Sequence, residues 1–114
     1  MKESEIQKQC LAALKKIKDI YYFRVNSFAG KLSNGSYIKN NKPGCPDIVG
    51  CYKGYFVGWE LKTDKGKQSE EQVATEKLIK SIYGFYFVIK SVEDLMESFK
   101  KIDSELESRK IWMI

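Results

Sequence analysis

The sequence predicts an α/β fold in the order helix, three strands, helix, strand, helix, and three observations carry that prediction. Apolar residues recur at helical spacing near the amino terminus. Two β-rich runs are separated by the turn-forming pair Lys53-Gly54. The short apolar run Phe85–Ile89 stands between two stretches of helical period. With 114 residues the chain is expected to form a single domain spanning 1–114.

Each element has its own local reason. In residues 3–18, Ile6, Cys10, Ala13, Leu14 and Ile17 make one apolar stripe with lysines opposite. Ser4 and Gln7 have the spacing of a capping box, and a start one turn earlier is equally compatible. Residues 20–28 are aromatic and β-branched and suit a strand. Residues 29–45 hold most of the turn formers and read as a long basic loop, with room for a short hairpin at Asn34-Gly35. Strands are expected at 47–52 and 55–62. A helix is expected from Ser69 to about Tyr83, with Ala74, Leu78 and Ile82 on one stripe and Gly84 as its C-cap glycine. Residues 85–89 read as a buried strand. A last helix begins near Ser91 and includes Val92, Leu95, Met96 and Phe99, while the tail with Ile111, Trp112 and Ile114 carries no clear pattern.

Composition narrows the chemistry. Apolar residues make up 43% and charged residues 31%, an ordinary globular balance. Apolar runs are a few residues long, and the polar start MKESEIQKQ lacks a signal-peptide core, so an intracellular protein without a membrane span is expected. The sequence contains no histidine, which removes Ser–His and Cys–His catalysis and most zinc chemistry. Cys10, Cys45 and Cys51 are too scattered for a disulfide framework, and Cys45 is read as packing. The net charge of +5 is concentrated: residues 1–30 carry six basic against three acidic side chains, residues 31–67 seven against three, and residues 68–114 seven against nine. A basic amino-terminal two thirds attracts a polyanion, although lysines kept for solubility give the same count.

The pair of central strands yields a specific register. With Lys53-Gly54 as a two-residue turn, Tyr52 lies opposite Tyr55, Cys51 opposite Phe56, Val49 opposite Gly58, and Asp47 opposite Glu60. Directly opposed side chains have Cβ atoms about 5 Å apart. Two carboxylates there repel unless a cation lies between them, and hard oxygen donors suit Mg²⁺. Lys62, two residues beyond Glu60, projects from the same face. The same three residues also make sense as a plain surface cluster in which Lys62 pairs with both acids.

Gly44-Cys45-Pro46-Asp47, followed by Glu60-Leu61-Lys62, resembles the PD-(D/E)XK signature of restriction-endonuclease-like nucleases. The longer pattern resembles the VRR-NUC (virus-type replication and repair nuclease) family. It comprises Glu3 with Ile6-Gln7, Arg24-Val25-Asn26, the Pro-Gly-x-Pro-Asp loop at 43–47, and Gly54-x-x-x-Gly58-x-Glu60-x-Lys62. It continues through Gly66-Lys67-Gln68-Ser69-x-x-Gln72 to Gly84, so that the likeness spans about residues 3–95.

This resemblance implies a restriction-endonuclease-like fold with a central mixed sheet flanked by helices. It also implies a Mg²⁺-dependent endodeoxyribonuclease, with Mn²⁺ able to substitute and no nucleotide cofactor. Asp47, Glu60 and the Leu61 carbonyl would hold the metal, with Glu3 (or its neighbour Glu5) adding a carboxylate directly or through water. Lys62 would orient or deprotonate the attacking water, and Gln72 would support it, unless Gln72 serves only the Ser69 capping box. Arg24, Lys31, Lys39, Lys42, Lys65 and Lys67 would contact DNA. Short members of the family resemble phage proteins that act on branched DNA. The implied substrate is therefore a branch such as a Holliday junction, cut by a homodimer in a bacterial cytoplasm. A monomeric flap-type or non-specific nuclease and a non-catalytic DNA-binding module are the other readings.

Overall fold

The computed structural model describes residues 1–25, 30–31, 33–38 and 44–112. Helix α1 spans Glu3–Leu14, strand β1 Ile20–Arg24, and the two-residue strands β2 and β3 Gly30–Lys31 and Tyr37–Ile38. Strands β4 and β5 span Ile48–Tyr52 and Tyr55–Leu61, helix α2 Glu70–Ser81, strand β6 Phe85–Ile89, and helix α3 Val92–Trp112. Strands β1, β4, β5 and β6 form one mixed sheet in that order; β4 is antiparallel to both β1 and β5, and β6 is parallel to β5. The small hairpin β2–β3 is the one expected around Asn34-Gly35, where the Asn34 side chain accepts the Ser36 N–H at 2.9 Å.

The β4–β5 register agrees with the one read from the turn: Tyr52 pairs with Tyr55, Cys51 with Phe56, and Val49 with Gly58. Lys53 and Gly54 both take the left-handed conformation, with φ of 52° and 91°, which matches the twist of the strands they join. Alternation along these strands divides the sheet into two faces. Val57, Trp59, Leu61, Ile48 and Tyr52 point to one face, where Ile6, Cys10 and Leu14 of α1 and Leu95, Phe99 and Ile102 of α3 bury them. On that face the Trp59 indole N–H donates to the buried Ser98 hydroxyl at 3.0 Å, which spares a polar group from burial without a partner. Phe56, Gly58 and Glu60 point to the other face, which α2 covers only beside β5 and β6.

Several boundaries differ from the sequence reading, each for a local reason. Helix α1 stops at Leu14 rather than 18, because the Lys16 and Ile17 N–H groups switch to the Ala13 and Leu14 carbonyls and Asp19 turns the chain with φ 63°. Lys2, not Ser4, occupies the N-cap, and no side chain caps this end. Strand β1 ends at Arg24; residues 26–28 of the expected strand lie outside the described residues.

In α2 the apolar stripe misleads. Ala74, Leu78 and Ile82 are exposed, and the inward face is Gln72, Thr75, Glu76 and Ile79. At its end the left-handed residue is Tyr83 (φ 71°), not Gly84. The Tyr83 N–H bonds the Lys80 carbonyl and the Gly84 N–H the Ile79 carbonyl, as in a Schellman motif. Helix α3 runs on to Trp112, into the tail that shows no pattern.

Two glycines let the loop before β4 sit tightly. A Cβ at Gly58 would meet Pro46 Cγ at 2.6 Å, and one at Gly44 would meet the Glu71 carbonyl oxygen of α2 at 2.4 Å. Pro46 thus lies directly on the β5 backbone and fixes where Asp47 begins. Gly58→Ala forces Pro46 off the strand, and should cost about 1–3 kcal/mol in denaturant unfolding. An unchanged midpoint would mean that the loop yields freely.

Candidate metal and nucleic-acid site

The site lies where β4 begins and β5 ends. Asp47 sits one residue ahead of β4, half-buried, and its Oδ2 accepts the Leu61 N–H at 2.7 Å. Its own carbonyl accepts the Val25 N–H at 2.8 Å, so Asp47 ties β1 and β5 together from the mouth of the sheet. Glu60 is 2% exposed. One oxygen, Oε1, accepts the Gln72 side-chain N–H at 2.8 Å, while Oε2 is buried with no hydrogen-bond donor among the described residues. The Asp47 carboxyl is close enough to act on the Glu60 carboxyl. Burial pushes the Glu60 carboxyl up to about 8. The hydrogen bond and charge of Asp47 push the same way, Lys62 pulls down, and Glu3 adds a further upward push.

A buried carboxylate oxygen beside a second carboxyl calls for a proton, a neutral donor such as water, or a cation. The donor set consists of hard oxygens, which is what Mg²⁺ or Mn²⁺ takes. Among the described residues no three Asp, Glu, Cys or His side chains converge as a metal-holding group; the Asp47 and Glu60 carboxyls stand as a pair. Glu3 is exposed at the first turn of α1 and lines, with Ser4, Gln7, Asp47 and Leu61, a cavity of about 220 Å³. Glu5 is absent from that lining and from the charges acting on Glu60, so Glu3 is the helix acid nearer the pair.

Gln72 serves the Ser69 capping box and also bonds Glu60, rather than the Lys62 side chain expected of it. It is the third residue of α2, and its Oε1 accepts the Ser69 N–H at 2.9 Å while the Ser69 hydroxyl accepts its backbone N–H at 3.2 Å. The same amide turns its N–H to Glu60. The capping box therefore orients the group that holds the buried acid. Lys62 is half-buried just past β5, where its backbone N–H donates to the Ile89 carbonyl at 2.9 Å.

The expected DNA contacts are less gathered. Arg24 is exposed at the end of β1, and Lys65 and Lys67 are exposed between β5 and α2. The Lys31 side chain, Lys39 and Lys42 lie outside the described residues.

One neighbour of the site escaped the sequence reading. Tyr86 is buried, pairs with Gly58 across the parallel β5–β6 ladder, and receives a long hydrogen bond of 3.4 Å from the Gln68 amide. Burial drives its hydroxyl pKa upward, Gln68 opposes this, and the charges of Glu60, Glu76 and Asp47 add to the rise. Only the β5–β6 register reveals it, and sequence periodicity does not carry that register.

Two larger cavities, of about 370 Å³ beside Lys53, Asp103 and Arg109 and about 390 Å³ beside Phe85, Phe87 and Lys101, lie along α3. The Lys53–Asp103 ion pair at 2.9 Å and the Arg109–Glu105 pair at 3.3 Å neutralise much of the charge there, whereas Glu60 Oε2 has no partner among the described residues. No family model matches the chain, and no curated protein matches it.

The pH response follows from the sign of the Glu60 shift. Between about pH 4.5 and 8 the folded protein retains a proton on Glu60 that the unfolded chain has released. The metal-free stability should therefore fall as pH rises across that window. Glu60→Gln should abolish this slope and melt no lower than the parent at pH 8. Parallel melting curves for the two proteins in EDTA from pH 5 to 8 would contradict the burial of an ionisable Glu60.

Proposed function

We propose that the chain is a metal-dependent DNA endonuclease of the VRR-NUC kind, with Asp47, Glu60 and Lys62 at its centre. The observation that carries this reading is the buried Glu60 Oε2, left without a donor beside a second carboxyl. Asp47, Glu60 and the Leu61 carbonyl would hold Mg²⁺, which supplies positive charge against the phosphate and acidifies water. Asp47 is held for this by the Leu61 N–H, and Glu60 by Gln72. Lys62 orients the attacking water and counters charge on the scissile phosphate. Glu3 faces the site from across the small cavity and acts on it through water.

The basic amino-terminal two thirds of the chain supports a polyanionic substrate, with Arg24, Lys65 and Lys67 as phosphate contacts. Branched DNA such as a Holliday junction is the proposed substrate. Paired cuts need two sites, and each chain carries one, so the working form is a homodimer. A second reading has its own support: with a carboxyl pKa of about 8, the Asp47–Glu60 pair can share a proton as a purely structural unit in a DNA-binding module. Metal dependence separates the two. Labelled junction, flap, duplex and single-stranded DNA incubated with Mg²⁺, Mn²⁺ or EDTA should show cleavage with either metal and none in EDTA. The melting temperature should rise with Mn²⁺ in the parent and not in Asp47→Asn/Glu60→Gln. Full activity in EDTA would sink the nuclease reading.

Lys62→Met keeps the aliphatic stem and removes the charge. It should bind DNA within several-fold of the parent yet cut about 10²–10⁴ times more slowly. Arginine should not rescue, because a guanidinium stays protonated and has a different shape. Equal losses in binding and cutting would make Lys62 a phosphate contact instead.

A further inference from the structure

The sheet face that carries Glu60 is only half covered. Because β1, β4 and β5 are in register, its residues fall into rows: Tyr21, Cys51 and Phe56 in one, and Phe23, Val49 and Gly58 in the next. The row after that begins at Val25, bonded to Asp47, and ends at Glu60. Helix α2 and Pro46 close the far side of this face. On the near side Tyr21 is 73% exposed, Phe23 52% and Phe56 45%, and the Tyr21 and Phe23 rings lie 6.3 Å apart at a tilt of 60°. Successive residues on one face of a strand are about 7 Å apart, so Phe23 stands one such step, and Tyr21 two, from the row of the carboxylates.

Three exposed rings on one sheet face are costly in water and add nothing to the buried core, which lies on the opposite face. Their chemistry suits planar, uncharged ring systems. Their position leads directly to a site whose proposed substrate is DNA, on a chain with a net charge of +5. A continuous duplex hides its base faces, whereas a single strand offers them for stacking.

We propose that Tyr21, Phe23 and Phe56 form a stacking platform for unpaired bases, which guides a single-stranded segment of DNA to the Asp47–Glu60 pair. This rests on the nucleic-acid reading of that pair, and among branched DNAs it favours one with a single-stranded arm over a fully paired Holliday junction or an intact duplex. Phe56 and Tyr21 flank Cys51, so a strand laid on the platform runs across β4 and then along β1 toward the site.

The experiment measures binding in EDTA, where nothing is cut. The probes are an oligodeoxythymidylate of about 15 nucleotides and an abasic strand of equal length and charge. The parent protein should prefer the base-bearing strand by at least about tenfold. Tyr21→Thr/Phe23→Thr/Phe56→Thr keeps β-forming residues, and should bind both probes as weakly as the parent binds the abasic one. Its salt dependence should be unchanged, since no phosphate contact is lost. Tyr21→Phe/Phe23→Tyr/Phe56→Tyr should keep the preference. Equal binding of both probes by the parent, or an intact preference in the threonine variant, overturns the platform. So does a shift from dimer to monomer in the threonine variant by sedimentation, which would make the patch a contact between copies. Metal-dependent cleavage without base preference removes the platform and leaves the nuclease. Base preference without cleavage leaves the platform and removes the nuclease.

Discussion

The antiparallel register of β4 and β5 is the constraint on which the other features rest, because side chains on a strand alternate with a period of two. A slip by one residue would carry Glu60 into the apolar layer under α1 and α3 and bring Trp59 out to face α2. Two features prevent that slip. The left-handed pair Lys53-Gly54 permits only a two-residue connection, and Pro46 rests on Gly58 so closely that no side chain fits between them. At the turn, Asp103 of α3 accepts from both the Tyr52 hydroxyl at 2.8 Å and Lys53 Nζ at 2.9 Å, which pins the closed end of the hairpin to the core. The open end is held by Asp47 and the Leu61 N–H. The hairpin is fastened at both ends by side chains, and its register sets the position of every candidate group.

Burying Glu60 then becomes a problem of polar satisfaction, and α2 solves half of it. The Ser69 capping box fixes the Gln72 amide with its oxygen toward the helix start, which leaves its N–H for Glu60. A cap worth roughly 1 kcal/mol to the helix thereby also orients a side chain of the site. The inner face of α2 is polar for the same reason, since Gln72, Thr75 and Glu76 lie over the end of β5 and only Ile79 reaches apolar contact. The other half, Glu60 Oε2, finds no donor among the described residues.

This division explains what could be read from the sequence. The hairpin, its register and the approach of Asp47 to Glu60 were legible, because period-two alternation and a two-residue turn are local signals. The apolar run at 85–89 was legible as a strand, but its parallel pairing with β5, and hence the place of Tyr86, depends on a connection through α2 that no local signal encodes. The face of α2 was misread because apolar spacing points to Ala74, Leu78 and Ile82, while the helix packs over a polar site. The length of α3 was hidden for a different reason. Beyond Leu106 its turns are held by charge pairs such as Arg109–Glu105 at 3.3 Å and Lys110–Glu107 at 3.4 Å, which leave no apolar period to find. Arg109 also lies over the Phe85 and Tyr55 rings, at 4.7 and 5.2 Å, so this stretch of the helix docks by a cation on aromatic faces rather than by an apolar stripe.

The two faces of the sheet answer opposite demands, and each depends on the other. The core face is sealed: Trp59, Ile48, Val57 and Leu61 are almost wholly removed from water, and burial of side chains this size stabilises by roughly 1.5–3 kcal/mol each. That stability lets the opposite face carry a buried acid short of one donor, a helix end with Tyr83 in a left-handed conformation, and exposed rings on β1 and β5. Each of these is unfavourable to the folded chain alone. Two of them, the acid and the rings, lie one and two rows apart on the same face, and each has a chemistry that a ligand could complete: a cation for the carboxylates, planar bases for the rings. The strained Tyr83 has no such complement; its carbonyl already accepts from Arg109 at 3.0 Å, which ties the end of α2 to α3. The cost of Tyr83 is thus offset inside the fold by Arg109, whereas no contact among the described residues offsets that of Glu60 Oε2.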